Sequence, residues 1–166
     1  MIAKLIVEGK EFPIEIQDPE LQKLLAPQKK TGYERVERKD AYYYVNVEGD
    51  ILPSTEYGIC FDNHYDEKRY DAANYYSDQI VAQNNARADK LMRQLRRFAV
   101  EHRNGGLDYD CGVYTIHWDG KLITTIRQYS KDFGNILFDS CNTCNLAIQT
   151  FHDELIWYFT EYKDSL

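Results

Sequence analysis

Thr31-Gly32-Tyr33-Glu34-Arg35 gathers, in one short segment, the side chains a phosphate-bearing ring ligand needs. The glycine lets backbone come close to a ligand, the tyrosine offers an aromatic face, and the guanidinium can pair with a phosphate. Lys29 and Lys30 precede the segment, and Tyr42 and Tyr44 follow it. Phosphates call for Arg, Lys and backbone N–H groups, and a base calls for aromatic faces. The expected ligand-binding set is therefore Thr31, Tyr33, Arg35, Tyr42 and Tyr44, with Arg69 and Arg97 as further candidates. The competing reading is an ordinary connector with solvated charges.

Other segments carry weaker signals. Cys141-x-x-Cys144 falls at an expected helix N-terminus, where the helix dipole lowers a thiol pKa, as redox pairs require. Half of a zinc site is the alternative, but Cys60, Cys111 and the four histidines supply no second close pair. Cys144 also lies on an apolar stripe, which makes it a core residue. Asp62-Asn63-His64-Tyr65-Asp66-Glu67 looks superficially like a calcium loop, yet it lacks the glycine at the sixth position and has Ala73 at the twelfth. His64 beside carboxylates could form an acid–base pair, but no Ser or Cys nucleophile is tied to it. No P-loop or Rossmann glycine pattern occurs. The chain is thus expected to be non-enzymatic, with no catalytic residue, metal ligand or cofactor.

Charge offers a second kind of chemistry. The net charge of −7 and pI near 5.1 argue against generic DNA or RNA binding. They fit an acidic surface, formed by Asp62, Asp66, Glu67 and Asp71, that docks on a basic partner. Lys90, Arg93 and Arg97 make a local exception. They fall opposite the apolar side of a helix, as phosphate contacts or as an ordinary solvated face.

The elements that must position these residues are legible from period and punctuation. Residues 1–28 read as a hairpin with a Gly9 turn and a short helix started by Asp18-Pro19. Pro27 to Gly32 is the linker. The remainder, 29–166, reads as two related strand–strand–helix halves, about 33–104 and 109–166. Hairpins are expected over 42–52, turning at Glu48-Gly49-Asp50, and over 113–127, turning at Asp119-Gly120. Residues 53–71 read as a long acidic loop and 136–138 as a short buried strand. A helix near 78–103, capped by Ser77 or Asp78, carries Val81, Ala88, Leu91, Met92, Leu95, Phe98 and Ala99 on one side. Asn104-Gly105-Gly106 is its closing signal. A last helix near 141–162 carries a long aromatic stripe, more apolar area than a small sheet can cover, which implies a homo-oligomer. The expected class is α+β, with antiparallel hairpins packed on two long helices and internally duplicated halves. With no long apolar run and no signal-peptide pattern, a cytosolic protein with reduced thiols is expected.

Several short motifs resemble a family of small uncharacterised proteins of phages and prophages of Firmicutes. They are Thr31-Gly32-Tyr33-Glu34-Arg35-Val36, the Tyr42-Tyr43-Tyr44 strand, Arg69-Tyr70 with Asn74-Tyr75-Tyr76-Ser77, and Ile136-Leu137-Phe138-Asp139-Ser140 with Ala147-Ile148. Where that pattern has Gly and Phe, this chain has Ala73 and Tyr76. The resemblance spans most of residues 30–155 and transfers no catalytic residue. It implies a counter-defence role in a bacterial host cell, by sequestering a nucleotide-type immune signal. Its rivals are an anti-CRISPR-like inhibitor that docks on a host defence protein, and a phage structural or replication accessory.

Overall fold

The computed structural model describes residues 2–7, 10–19, 30–57, 64–132 and 134–162. The chain divides into two units, residues 1–31 and residues 32–166. In the first unit, β1 (Ile2–Val7) pairs antiparallel with β2 (Lys10–Glu15), from Ile2 opposite Glu15 to Val7 opposite Lys10. A two-stranded sheet consists of edges, which is where Pro13 is tolerated. The helix expected beyond Pro19 and most of the linker lie outside the described residues.

The second unit is α+β. Its first hairpin joins β3 (Ala41–Val45) to β4 (Ile51–Thr55). Local chemistry makes the turn. The Asn46 side chain accepts from the Asp50 N–H at 2.7 Å, and Gly49 takes a φ of +95° that a side chain would oppose. Pro53 sits opposite Tyr43. Tyr43 exchanges both backbone bonds with Tyr76 instead, at 2.8 and 2.9 Å, so that pairing needs no N–H from the proline. Helix α1 (His64–Asp71) follows, and then α2 (Gln79–Glu101). Residues 53–71 are thus a strand end and a helix at their described ends, where the sequence reads as loop.

Asp78 caps α2 by accepting from the Ile80 and Val81 N–H groups. Ala82, Ala86, Ala88, Leu91, Leu95, Phe98 and Ala99 form its buried face. The expected glycine stop is not used. The helix closes at His102, whose N–H donates to the carbonyl of Phe98 and whose ring stacks on Phe98 at 3.8 Å. Gly105 and Gly106 lie beyond it.

The second hairpin joins β5 (Val113–Trp118) to β6 (Ile123–Gln128). Asp119 shapes its turn by accepting from the N–H groups of Lys121 and Leu122, both at 2.8 Å. The strand expected at 136–138 contracts to one bridge, in which Tyr114 and Phe138 exchange backbone bonds at 2.9 and 2.8 Å. Ser140 then caps α3 (Cys141–Thr150). Hairpin, bridging aromatic, cap and helix thus follow in the same order in both parts, with Tyr76 and Phe138 each two residues before the cap. The lengths differ, and α1 has no counterpart among the described residues of the second part.

The single helix expected over 141–162 is interrupted. Phe151 leaves the helical region (φ −111°, ψ 22°), α4 spans His152–Trp157, and Tyr158–Tyr162 form a π-helical turn. A threonine hydroxyl bonds back to a carbonyl at each irregularity, Thr150 to Leu146 at 2.7 Å and Thr160 to Ile156 at 2.8 Å. Such back-bonding bends helices. The core joins Leu91, Leu95 and Phe98 of α2 to Phe138, Cys144, Ala147 and Leu155. Phe151, Tyr158 and Phe159 pack against it. The aromatic stripe is therefore largely covered by its own chain, which removes the area argument for an oligomer. Among the described residues, no helix is long and apolar enough to cross a membrane.

Candidate functional site

Most of the expected ligand-binding residues lie in one closed network beside the first hairpin. Arg35 forks onto Glu56, with Nη2 to Oε1 at 3.1 Å and Nε to Oε2 at 3.3 Å, and its Nη1 meets Glu67 Oε1 at 2.7 Å. Those two carboxylates hold the guanidinium pKa above its ordinary value. Glu56 is buried, and it also accepts from the Tyr75 hydroxyl at 2.9 Å. Tyr42 is fully buried. Its hydroxyl donates to Asp66 Oδ1 and accepts from Arg69 Nη1, both at 2.6 Å. Burial pushes the Tyr42 and Tyr75 hydroxyls upward in pKa. Arg69 covers the Tyr44 ring at 3.5 Å.

These contacts decide what the network can do. The Arg35 guanidinium is held by carboxylates, and the Tyr42 ring has no open face. A phosphate entering here would have to displace Glu56 and Glu67. The network fastens α1 and the 33–36 segment to the hairpin. Gly32 has the same structural use. A Cβ at that position, at φ +87°, would stand 2.6 Å from Val81 Cγ2. Its close approach is to α2.

The other expected residues are dispersed. Thr31 closes the first unit. Tyr33 packs on Tyr76, with ring centres 5.4 Å apart. Arg97 lies on the outer face of α2, 3.7 Å from Glu101. Of the acidic set, Asp62 lies outside the described residues. Asp66 points inward, where it also accepts from the Tyr57 N–H at 3.1 Å, so it cannot face a partner. Glu67 is paired with Arg35, and Asp71 is exposed.

A different concavity is open. A cleft of about 320 Å³ lies between β5, the 134–136 loop, α2 and the C-terminal π turn. Ile116, Leu95 and Leu155 supply apolar lining. Trp118 and Phe159 also line it, their rings parallel within 8° and 5.8 Å apart, with Tyr158 edge-on to Phe159. Thr115, His117 and Asn135 add polar groups. The sequence reading did not single out Trp118. Its signal was the alternation Tyr114, Ile116, Trp118, which puts three large apolar groups on one face of a strand.

Cys144 is a core residue, not a poised thiol. Burial pushes the Cys144 thiol up to about 11, against the direction a reactive pair requires. Cys141 and Cys111 are exposed, and Cys60 lies outside the described residues. Among the described residues, no group of three or more His, Cys, Asp or Glu is placed to hold a metal ion. No family model, no curated protein and no solved structure matches this chain.

Proposed function

We propose that the protein captures a nucleotide-type small molecule without converting it, with the ligand's ring in the Trp118–Phe159 cleft. The parallel aromatic pair carries this reading. A nucleobase has apolar faces and a polar edge, and the cleft offers aromatic faces beside Thr115, His117 and Asn135. Its volume stands near the lower end of small-molecule sites, roughly 300–1,000 Å³. The sequence carries no nucleophile–base, metal or cofactor motif, which supports holding over turnover. Sequestration of a host immune signal, the role implied by the phage-type motifs, is a function of this kind.

Calorimetry with nucleosides, cyclic dinucleotides and ADP-ribose derivatives tests it. One member should bind, be recovered unchanged, and bind at least about fivefold more weakly to Trp118→Ala, the loss expected for one base-stacking ring. Silence across the panel, or conversion of the ligand, would reject the reading. The docking inhibitor is the weaker alternative, because Asp66 and Glu67 are engaged within the fold.

A further inference from the structure

The outer face of α2 carries a charge pattern at odds with the rest of the chain. Between residues 87 and 101 stand Arg87, Lys90, Arg93, Arg96 and Arg97, against only Asp89 and Glu101, in a protein of net charge −7. Arg87, Lys90, Gln94 and Arg97 follow the three- and four-residue steps that share one helix face. Two grooves run along that face and meet at Lys90 and Gln94. One, of about 450 Å³, extends from Arg87 past Phe151 and Glu154. The other, of about 340 Å³, is lined by Lys90, Arg93, Gln94 and Arg97. At 1.5 Å of rise per residue, the row from Arg87 to Arg97 is about 15 Å long. It is a track, not a pit.

The two ends of the track differ. Arg87 is fixed flat. It makes two bonds to Glu154, at 2.8 and 3.1 Å, and lies 3.9 Å over the Trp157 ring. Such a guanidinium plane, with Phe151 beside it, is a surface for an unstacked base. Lys90 and Arg93 hold no ion pair among the described residues, and Arg97 has only the long, exposed contact with Glu101. Cations in a row with a planar group at one end are what a single strand requires.

We propose that the groove pair along α2, from Arg87 to Arg97, holds the backbone of a single-stranded nucleic acid. This goes beyond the capture of a small molecule and stands independently of it. The net charge does not forbid such binding, because at physiological salt charges more than about 8 Å away are largely screened. It does select the strand type. A duplex offers no free base to the Arg87 plane, and it brings a second row of phosphates toward the acidic remainder of the surface.

Fluorescence anisotropy of the full chain with a labelled single strand of about 12 nucleotides, at about 50 and 200 mM salt, tests the proposal. Binding at low salt that weakens at high salt is expected. In the Lys90→Gln, Arg93→Gln, Arg97→Gln triple variant, affinity should fall about tenfold or more, and the slope of log K against log salt should shrink by about 2. Arg96→Gln, off the track, should bind within about twofold of the parent, a neutral outcome for a cation that touches no phosphate. All three sites of the triple variant are exposed, and circular dichroism checks that it is folded. The proposal is overturned if the parent does not bind at low salt, if the triple variant binds as the parent does, or if a duplex of equal length binds as tightly.

Discussion

Tyr42 and Tyr75 lie face to face, with 4.0 Å between ring centres and 12° between planes, and each hydroxyl donates to a different carboxylate. Tyr42 donates to Asp66 of α1, and Tyr75 donates to Glu56 just after β4. The stack thus joins an ion-pair system, Arg35–Glu56–Glu67, to a hydrogen-bond chain, Asp66–Tyr42–Arg69, across one pair of rings.

Glu56 is the member whose loss should cost most. Removing it leaves the Tyr75 hydroxyl without its acceptor and Arg35 with only Glu67. We expect Glu56→Ala to destabilise the fold by about 2–3 kcal/mol, below the full value for a buried pair because Arg35 is partly solvated. Urea unfolding followed by tyrosine fluorescence measures it. A change under about 0.5 kcal/mol would show that the network is ornamental.

Asn74 imitates a strand residue. Its amide accepts from the Val45 N–H and donates to the Val45 carbonyl, both at 2.8 Å. Asn74→Ala leaves two partly buried backbone groups unpaired and should cost about 1–2 kcal/mol. Asn74→Asp keeps the acceptor and loses the donor, so it should fall between. Denaturant midpoints of the two variants give the order.

Gly32 should resist substitution for two separate reasons. Its φ of +87° is unfavourable for any side chain, and the space a Cβ would take belongs to Val81. Gly32→Ala should lose about 2 kcal/mol or more. Val81→Ala removes the Cγ2 contact but leaves the Cβ of residue 81 at 3.0 Å, Asp78 Cβ at 3.2 Å and the backbone term, so the second substitution should recover only part of the loss in a double-mutant cycle.

Alkaline pH should unfold this chain from its aromatic core. Burial raises the Tyr76 hydroxyl from its ordinary value of 10 to about 12, and the Cys144 thiol from 9 to about 11. Both groups are neutral when protonated, so the folded state holds their protons more tightly than the unfolded chain does. Their contribution is complete below the ordinary values and is lost as pH rises through the folded ones. Unfolding midpoints should therefore be flat toward pH 9 and fall between pH 9 and 12. Tyr76→Phe should make the upper part of that fall shallower.

Much of the fold could be read along the chain because its signals are local. The turns at Gly49 and Gly120, the Asp78 cap and the buried face of α2 each depend on residues a few positions apart. Helix α1 could not be read this way. Its inward face is Asp66 and Arg69, held by Tyr42, so it has no apolar period. Nor could the break at Phe151, where Thr150 bonds back into α3 within an unbroken apolar stripe. The pairing within the first candidate site could not be read for a related reason. Arg35 and Tyr42 are the side-chain types a nucleotide needs, but the partners that occupy them, Glu56 and Asp66, lie about 20 residues downstream. Spacing along the chain does not reveal such pairing. Trp118 and Phe159, at the end of β5 and in the π turn, are far apart in sequence and meet only in the tertiary fold.

The π turn at Tyr158–Tyr162 works as a phase shifter. Each π turn takes in one residue more than an α turn, and one residue is about 100° of helical rotation. The side chain that closes it, Tyr162, points to a different quarter of the molecule than an unbroken helix would choose. Tyr162 uses the new direction to donate to Asn85 Oδ1 on α2, at 3.0 Å. The direction of Tyr162 is thus sensitive to residue count as well as residue type. Replacing Thr160 with Ala should leave Tyr162 on Asn85. Deleting Thr160 should turn the π turn into an α turn one residue shorter and keep Tyr162 facing Asn85, whereas inserting a residue there should rotate Tyr162 by about 100° off its partner.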